Sequence, residues 1–137
     1  MNEEIKRNGE AAVLPIRKLT LTNECFRREI RTGAYAQITV MRIPVGGEIG
    51  LEIHEDLDQI LVIEYGVGSV YAGKEKKEVA FIGEADGSSA VFIPAGTYHN
   101  VVNRRNVPLL LFSVYAPPKH PIGTIHRTKL DADLAED

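Results

Sequence analysis

The chain has one cysteine, Cys25, among 137 residues, and no tryptophan. A single thiol excludes an internal disulfide framework and with it the disulfide-stapled class of small secreted domain; it fits a reducing compartment. No window approaches the roughly 18 consecutive apolar residues that a membrane helix needs. The opening MNEEIKRNGEAAVLP lacks the apolar centre of a secretory signal. The expectation is a cytoplasmic protein with no membrane partner. An excess of one charge is missing too: 16 Lys and Arg stand against 19 Asp and Glu, a net charge of −3. Such a chain has no overall attraction for a polyanion, so no nucleic-acid partner is expected. Arg27, Arg28 and Arg31 cluster, as do Arg104 and Arg105, and both groups read as solvated strand or loop faces. There is no glycine-rich phosphate loop, nucleophile elbow or zinc-finger spacing, and no convincing helical period.

Short β-type runs take their place. Apolar residues make up 44% and charged residues 26%, the composition of one globular domain with one core. From Phe26 the chain reads FRREIRTGAYAQITVMRIPVGG, two extended runs joined by a turn at Thr32–Gly33, the second ending at Pro44. Further runs cover 49–54, 59–65, 69–72, 78–82, 90–93, 97–103 and 109–116, with a hairpin turn at 73–76. About nine short strands at close, turn-punctuated spacing argue an all-β sandwich or barrel. Residues 1–25 read as an N-terminal arm, loose up to about residue 14, and 26–116 as the barrel. Residues 117–137 read as a C-terminal arm, because Pro117-Pro118 cannot continue a central strand. Its end is a short acidic, helical tail.

Residues two apart in a strand share a face. The run Ile49–His54 therefore puts Glu52 and His54 on one side and Ile49, Leu51 and Ile53 on the other. A carboxylate and an imidazole sharing one face of an apolar strand call for a metal, a counter-charge or water, since an unpaired buried charge is costly. Gln59 opens the next strand. After the turn Pro94-Ala95-Gly96, alternation places Thr97, His99 and Val101 together. Two histidines, a carboxylate and an amide oxygen near strand starts make a ligand set for one divalent ion. Asp56 or Asp58 with His54 is a rival set that alternation leaves open. His120 and His126 lie in the proline-rich arm and read as docking contacts, with one of them over a pocket mouth as the alternative. Tyr35, Tyr98 and Tyr115 read as barrel or rim packing.

Two stretches, GGEIGLEIHEDLDQILVIEYG from Gly46 and GSSAVFIPAGTYHNVVN from Gly87, resemble the two motifs of the cupins. The first motif in germins and their relatives is Gly, five residues, His-x-His, four residues, Glu, six residues, Gly. Counted from Gly46, Glu52 stands in the first histidine's place, His54 in the second, Gln59 in the glutamate's, and Gly66 on the closing glycine. In the second motif Pro94, Gly96, His99 and Asn103 match, with Ser88 for the first glycine. The opening FRREIRTG and the ending APPKHPIGTIHRTK are similar to those of small single-domain bacterial cupins.

The resemblance implies a double-stranded β-helix (jelly-roll) barrel with extended terminal arms and a divalent metal on Glu52, His54, Gln59 and His99. The two replaced ligands offset each other in charge: three neutral donors and one carboxylate still leave a divalent ion at net +1. More oxygen donors favour manganese or iron(II), with zinc and nickel open. The implied function is a metal-dependent enzyme of oxygenase or isomerase type on a small organic or sugar-like substrate, with Glu52 detaching to act as a base. The alternative is a non-catalytic sensor or carrier of a sugar or small acid. Apolar residues on both strand faces (Ile49, Leu51, Ile53, Leu110, Val114) point to a surface covered by a second subunit or a terminal arm, and a homodimer is expected.

Overall fold

A computed structural model of the chain describes residues 9–135; the start of the loose arm, residues 1–8, lies outside the described residues. In chain order the elements are helix α1 (Ile16–Leu21), strands β1 (Arg27–Thr32), β2 (Gln37–Ile43), β3 (Asp58–Tyr65), β4 (Gly68–Gly73), β5 (Ala80–Ala85), β6 (Ala90–Ile93), β7 (Tyr98–Val102), β8 (Leu109–Ala116) and β9 (Ile125–His126), then helix α2 (Lys129–Ala135). A 3₁₀ turn, Lys76–Glu78, joins β4 to β5. The strands form a six-stranded sheet, β6-β3-β8-β2-β1-β9, and a three-stranded sheet, β5-β4-β7. Pairing is antiparallel throughout.

Period-2 patterning builds the core between the sheets. On β8, Leu109, Leu111, Ser113 and Tyr115 are buried on the inner side. Met41 and Ile43 of β2 and Leu61 and Ile63 of β3 meet Val70, Ala85 and Val101 of the smaller sheet in one apolar cluster. The outer face of β8 carries Leu110, Phe112 and Val114, buried or half-buried, because α1 packs over β8, β3 and β2. Ile16, Leu19 and Thr20 are the buried or half-buried positions of that helix, at the spacing of one helical face. The absence of helical period in the sequence thus misses α1, which is too short to show one.

The stretch 49–54 is not a regular strand. It is tied to β7 by two isolated bridges, Glu48↔Val102 and Glu52↔His99. Gly50, at φ +105°, breaks the alternation between them. Ile49 consequently points inward and is 7% exposed, while Leu51 is 44% exposed, so Ile49 does not share the outward face expected of it. Tyr35, at 84% exposed, packs against neither barrel nor rim.

The C-terminal arm returns to its own barrel. The Gln37 side chain accepts the His120 and Lys119 backbone N–H groups at 2.9 and 3.2 Å and donates to the His120 carbonyl at 2.6 Å. Then β9 pairs with β1 in the register Arg27↔His126. Residues 117–126 thereby lie across one mouth of the barrel. Among the described residues no helix is long and apolar enough to cross a membrane.

Candidate metal centre

Three backbone devices assemble the centre. The Glu52↔His99 bridge exchanges two hydrogen bonds, 3.0 and 2.9 Å, which sets the two side chains on one face of the small sheet. The Pro94–Gly96 turn is anchored to the opposite segment, Gly96 N–H donating to the His54 carbonyl at 2.7 Å. Asn103 holds the end of β7: its Nδ2 donates to the carbonyls of Ile43, Pro44 and Val107, and its Oδ1 accepts from the Arg105 N–H. The motif asparagine is a staple rather than a ligand.

At the centre, Glu52 Oε1 lies 3.3 Å from His99 Nε2 and 3.4 Å from His54 Nε2. Glu52, His54 and His99 each offer one ligand atom, all within 4.8 Å of one another. His99 is 1% exposed, and its Nδ1 donates to the Thr97 carbonyl at 2.9 Å. That bond places a proton on Nδ1 and leaves Nε2 as the nitrogen turned toward the Glu52 carboxylate. Glu52 Oε1, His54 Nε2 and His99 Nε2 are buried without a hydrogen-bond partner. A divalent ion placed between them would satisfy all three atoms at once. Burial pushes the Glu52 carboxyl up, but the neighbouring His54 and His99 outweigh it and hold the group well below the usual carboxylate range.

Gln59, at the start of β3, is 1% exposed. Its Nε2 donates to Ser113 Oγ at 2.8 Å, while Oε1 is buried with no hydrogen-bond partner, an oxygen suited to a hard cation. The rival carboxylates are engaged elsewhere or solvated: Asp58 Oδ1 accepts the Ala95 N–H at 2.9 Å, and Asp56 is exposed.

No protein-family model matches the chain. It is 49% identical over 125 residues to the uncharacterized protein YrkC of Bacillus subtilis (strain 168), an alignment covering 91% of this chain and 67% of that protein. The crystal structure of BH2720 from Bacillus halodurans superposes with a TM-score of 0.89 at 47% identity, covering 91% of this chain and 95% of that one. The cupin domain of Cnp3 from Schizosaccharomyces pombe shares the fold, at a TM-score of 0.58 and 14% identity over 66% of this chain and 62% of that one. The chain belongs to one family with YrkC of Bacillus subtilis, and its fold is that of a cupin barrel.

Beside Glu52, His54 and His99 lies a cavity of about 80 Å³, walled by Arg27, Glu52, His54, Lys119 and His120 among others. An aromatic series leads away from the centre: His54 to Tyr115 at 6.0 Å between ring centroids, Tyr115 to His120 at 5.1 Å, and His120 to His126 at 6.1 Å. Arg27 Nη1 donates to His126 Nδ1 at 3.2 Å. Burial pushes the Tyr115 hydroxyl up, and the negative Glu52 adds to this while Arg27 opposes it. A wider cleft of about 260 Å³, bounded by Arg42, Glu48, Arg127 and Lys129, includes none of Glu52, His54 and His99.

Arg27 does not lie on a solvated face: it is 6% exposed. In sequence it is indistinguishable from its exposed neighbour Arg28, and alternation from the buried Phe26 would turn Arg28 inward instead. His120 is both a docking residue, through its backbone, and a wall of the cavity. Its selection as such needed the arm's path, which no local pattern encodes.

Proposed function

We propose that this cupin binds one divalent metal ion through Glu52, His54 and His99, with Gln59 Oε1 as a fourth donor, and acts as a metal-dependent catalyst on a small organic molecule. The observation that carries the reading is the convergence of three buried ligand atoms without hydrogen-bond partners. A two-histidine, one-carboxylate face suits manganese or iron(II) and leaves coordination positions for a substrate. The bound ion supplies Lewis acidity for an oxygenase- or isomerase-type reaction. The chain supplies the rest. Thr97 orients His99 by accepting the Nδ1–H bond on its carbonyl, as backbone acceptors commonly orient metal-binding histidines. Glu52, bordering the cavity, would be the carboxylate placed to take a substrate proton. The arm, through His120 and Lys119, walls off the centre from bulk water.

The test is elemental analysis of protein purified without oxygen, chelator or nickel resin. About one equivalent of metal per chain is expected; less than about a tenth of an equivalent would sink the reading. Small enols, diketones and sugar phosphates, screened with oxygen consumption monitored, then separate catalyst from carrier.

We also propose a cytoplasmic homodimer. Its support is apolar surface at strand positions: Phe81, Ile82 and Phe92 are 54%, 60% and 61% exposed.

A further inference from the structure

We infer that the cavity beside the three ligands takes a small organic acid, with Arg27 gripping its carboxylate. The placement of the acid's other end toward the metal rests on the metal-binding reading above; the anion grip does not. A guanidinium stays protonated at any physiological pH, so its burial demands an anion. Arg27 is 6% exposed and borders the cavity. Its Nη1 donates to His126 Nδ1, its guanidinium lies 5.4 Å from the Phe26 ring centroid and bonds the Tyr115 side chain, none of these being a carboxylate, and its Nε is buried with no hydrogen-bond partner. Among the described residues no carboxylate comes within 4.0 Å of it.

The other charges on the wall do not supply that anion. Glu52 is committed to His54 and His99, and Asp133 pairs with Lys129 at 2.9 Å. Lys119, half-buried at the same cavity, adds a second cation that makes no ion pair with any described residue. With an ion at net +1 on the three ligands, the cavity is strongly positive and closed on one side by the arm. A planar fork of N–H donors matches a carboxylate. A water occupies about 10–15 Å³ on this measure, so about 80 Å³ holds roughly six heavy atoms, an acid of about two to four carbons.

The experiment is calorimetric titration of the full chain, metal-free and loaded with Mn²⁺, with acetate, pyruvate and succinate. Pyruvamide serves as a neutral control and inorganic phosphate as a non-carboxylate anion. At least one acid saturates, pyruvamide does not, and phosphate binds at least about tenfold more weakly. Arg27→Gln weakens the acid roughly ten- to hundredfold, the range for removing a charge-assisted partner, with Mn²⁺ binding unchanged; Arg27→Lys falls between. Lys119→Ala, at an arm position, weakens it a few-fold and covers the case in which Arg27→Gln fails to fold. Equal binding of pyruvamide or phosphate, an Arg27→Gln chain that binds as wild type, or no saturating acid overturns the inference. Mn²⁺ binding without acid binding leaves the metal reading standing alone; acid binding through Arg27 without Mn²⁺ binding does the reverse.

Discussion

Glu52 and His99 form one hydrogen-bonded antiparallel pair, their main chains exchanging bonds of 3.0 and 2.9 Å and their side chains meeting at 3.3 Å. The carboxylate that stands in a histidine's place in the first motif is thus set by the backbone of the second motif. The bridge, rather than the length of the side chain, aims Glu52 at His99.

The first prediction concerns the ligand set. His54→Ala and His99→Ala should each abolish stoichiometric metal uptake, a larger loss than the roughly 10- to 100-fold that removing an outer partner costs. Asp58→Ala should leave it intact, since that carboxylate holds the Ala95 N–H. Metal content after equilibrium dialysis measures both; uptake lost in Asp58→Ala and kept in His54→Ala would reverse the assignment.

Metal removal should lower thermal stability. Free ion at about 100 times its dissociation constant adds about 2.7 kcal/mol, which for a domain of this size is roughly 5–15 °C in Tm. Chelator should remove that increment from wild type and do nothing to His99→Ala. Calorimetry of the four samples decides it, and a wild type indifferent to chelator argues for a metal-free role of the three side chains.

Much of this was legible in the sequence for definite reasons. Strand positions such as Gln37–Ile43 and Leu109–Ala116 show themselves because one face must be apolar, and motif spacing locates Glu52, His54 and His99 because turns fix the distance between strand starts. Gln59 was visible by the same spacing. What was not legible depends on contacts between distant segments. Gly50's positive φ reverses the facing of Ile49 with no sign but the glycine itself. The burial of Arg27 depends on β9 folding back to put His126 beside it, a contact of high sequence separation. Helix α1, six residues long, is defined by the sheet it covers more than by its own propensity.

Acid sensitivity follows from Glu52. In the metal-free protein its carboxyl is held below its ordinary value of 4.5 by His54 and His99. A folded-state value below the unfolded one contributes stability that is full above the unfolded value and fades as pH falls toward the folded one. The stability gap between metal-free wild type and Glu52→Gln should therefore be constant above about pH 5 and shrink below about pH 4. Urea midpoints at pH 3, 4, 5 and 6 test this; a pH-independent gap would show that the histidines do not hold the carboxylate.

Gly66 closes the first motif for a steric reason. Its φ is +88°, and a Cβ there would sit 2.7 Å from the Pro108 carbonyl oxygen. Neither the conformation nor the backbone contact yields cheaply, so Gly66→Ala should cost about 1–3 kcal/mol from strain alone. Chemical denaturation reads the loss directly, and a neutral substitution would mean that the β3–β4 turn relaxes freely.

The homodimer is the remaining prediction. Strand β6 is an edge of the larger sheet, and Phe92 on it lies opposite Ile60 of β3, the two being 61% and 39% exposed. Ile82 shares a shallow groove with Phe92, so apolar side chains border an edge with unpaired backbone groups. An edge of this kind invites pairing with a second strand, and the chain has no charge on Ala90–Ile93 to oppose it. Light scattering on size-exclusion eluate should give twice the chain mass of 15.1 kDa, and Phe92→Lys should return the monomer by placing a charge at the contact. A wild-type monomer at micromolar concentration defeats the dimer, whereas a Phe92→Lys dimer keeps the assembly but moves it off this edge.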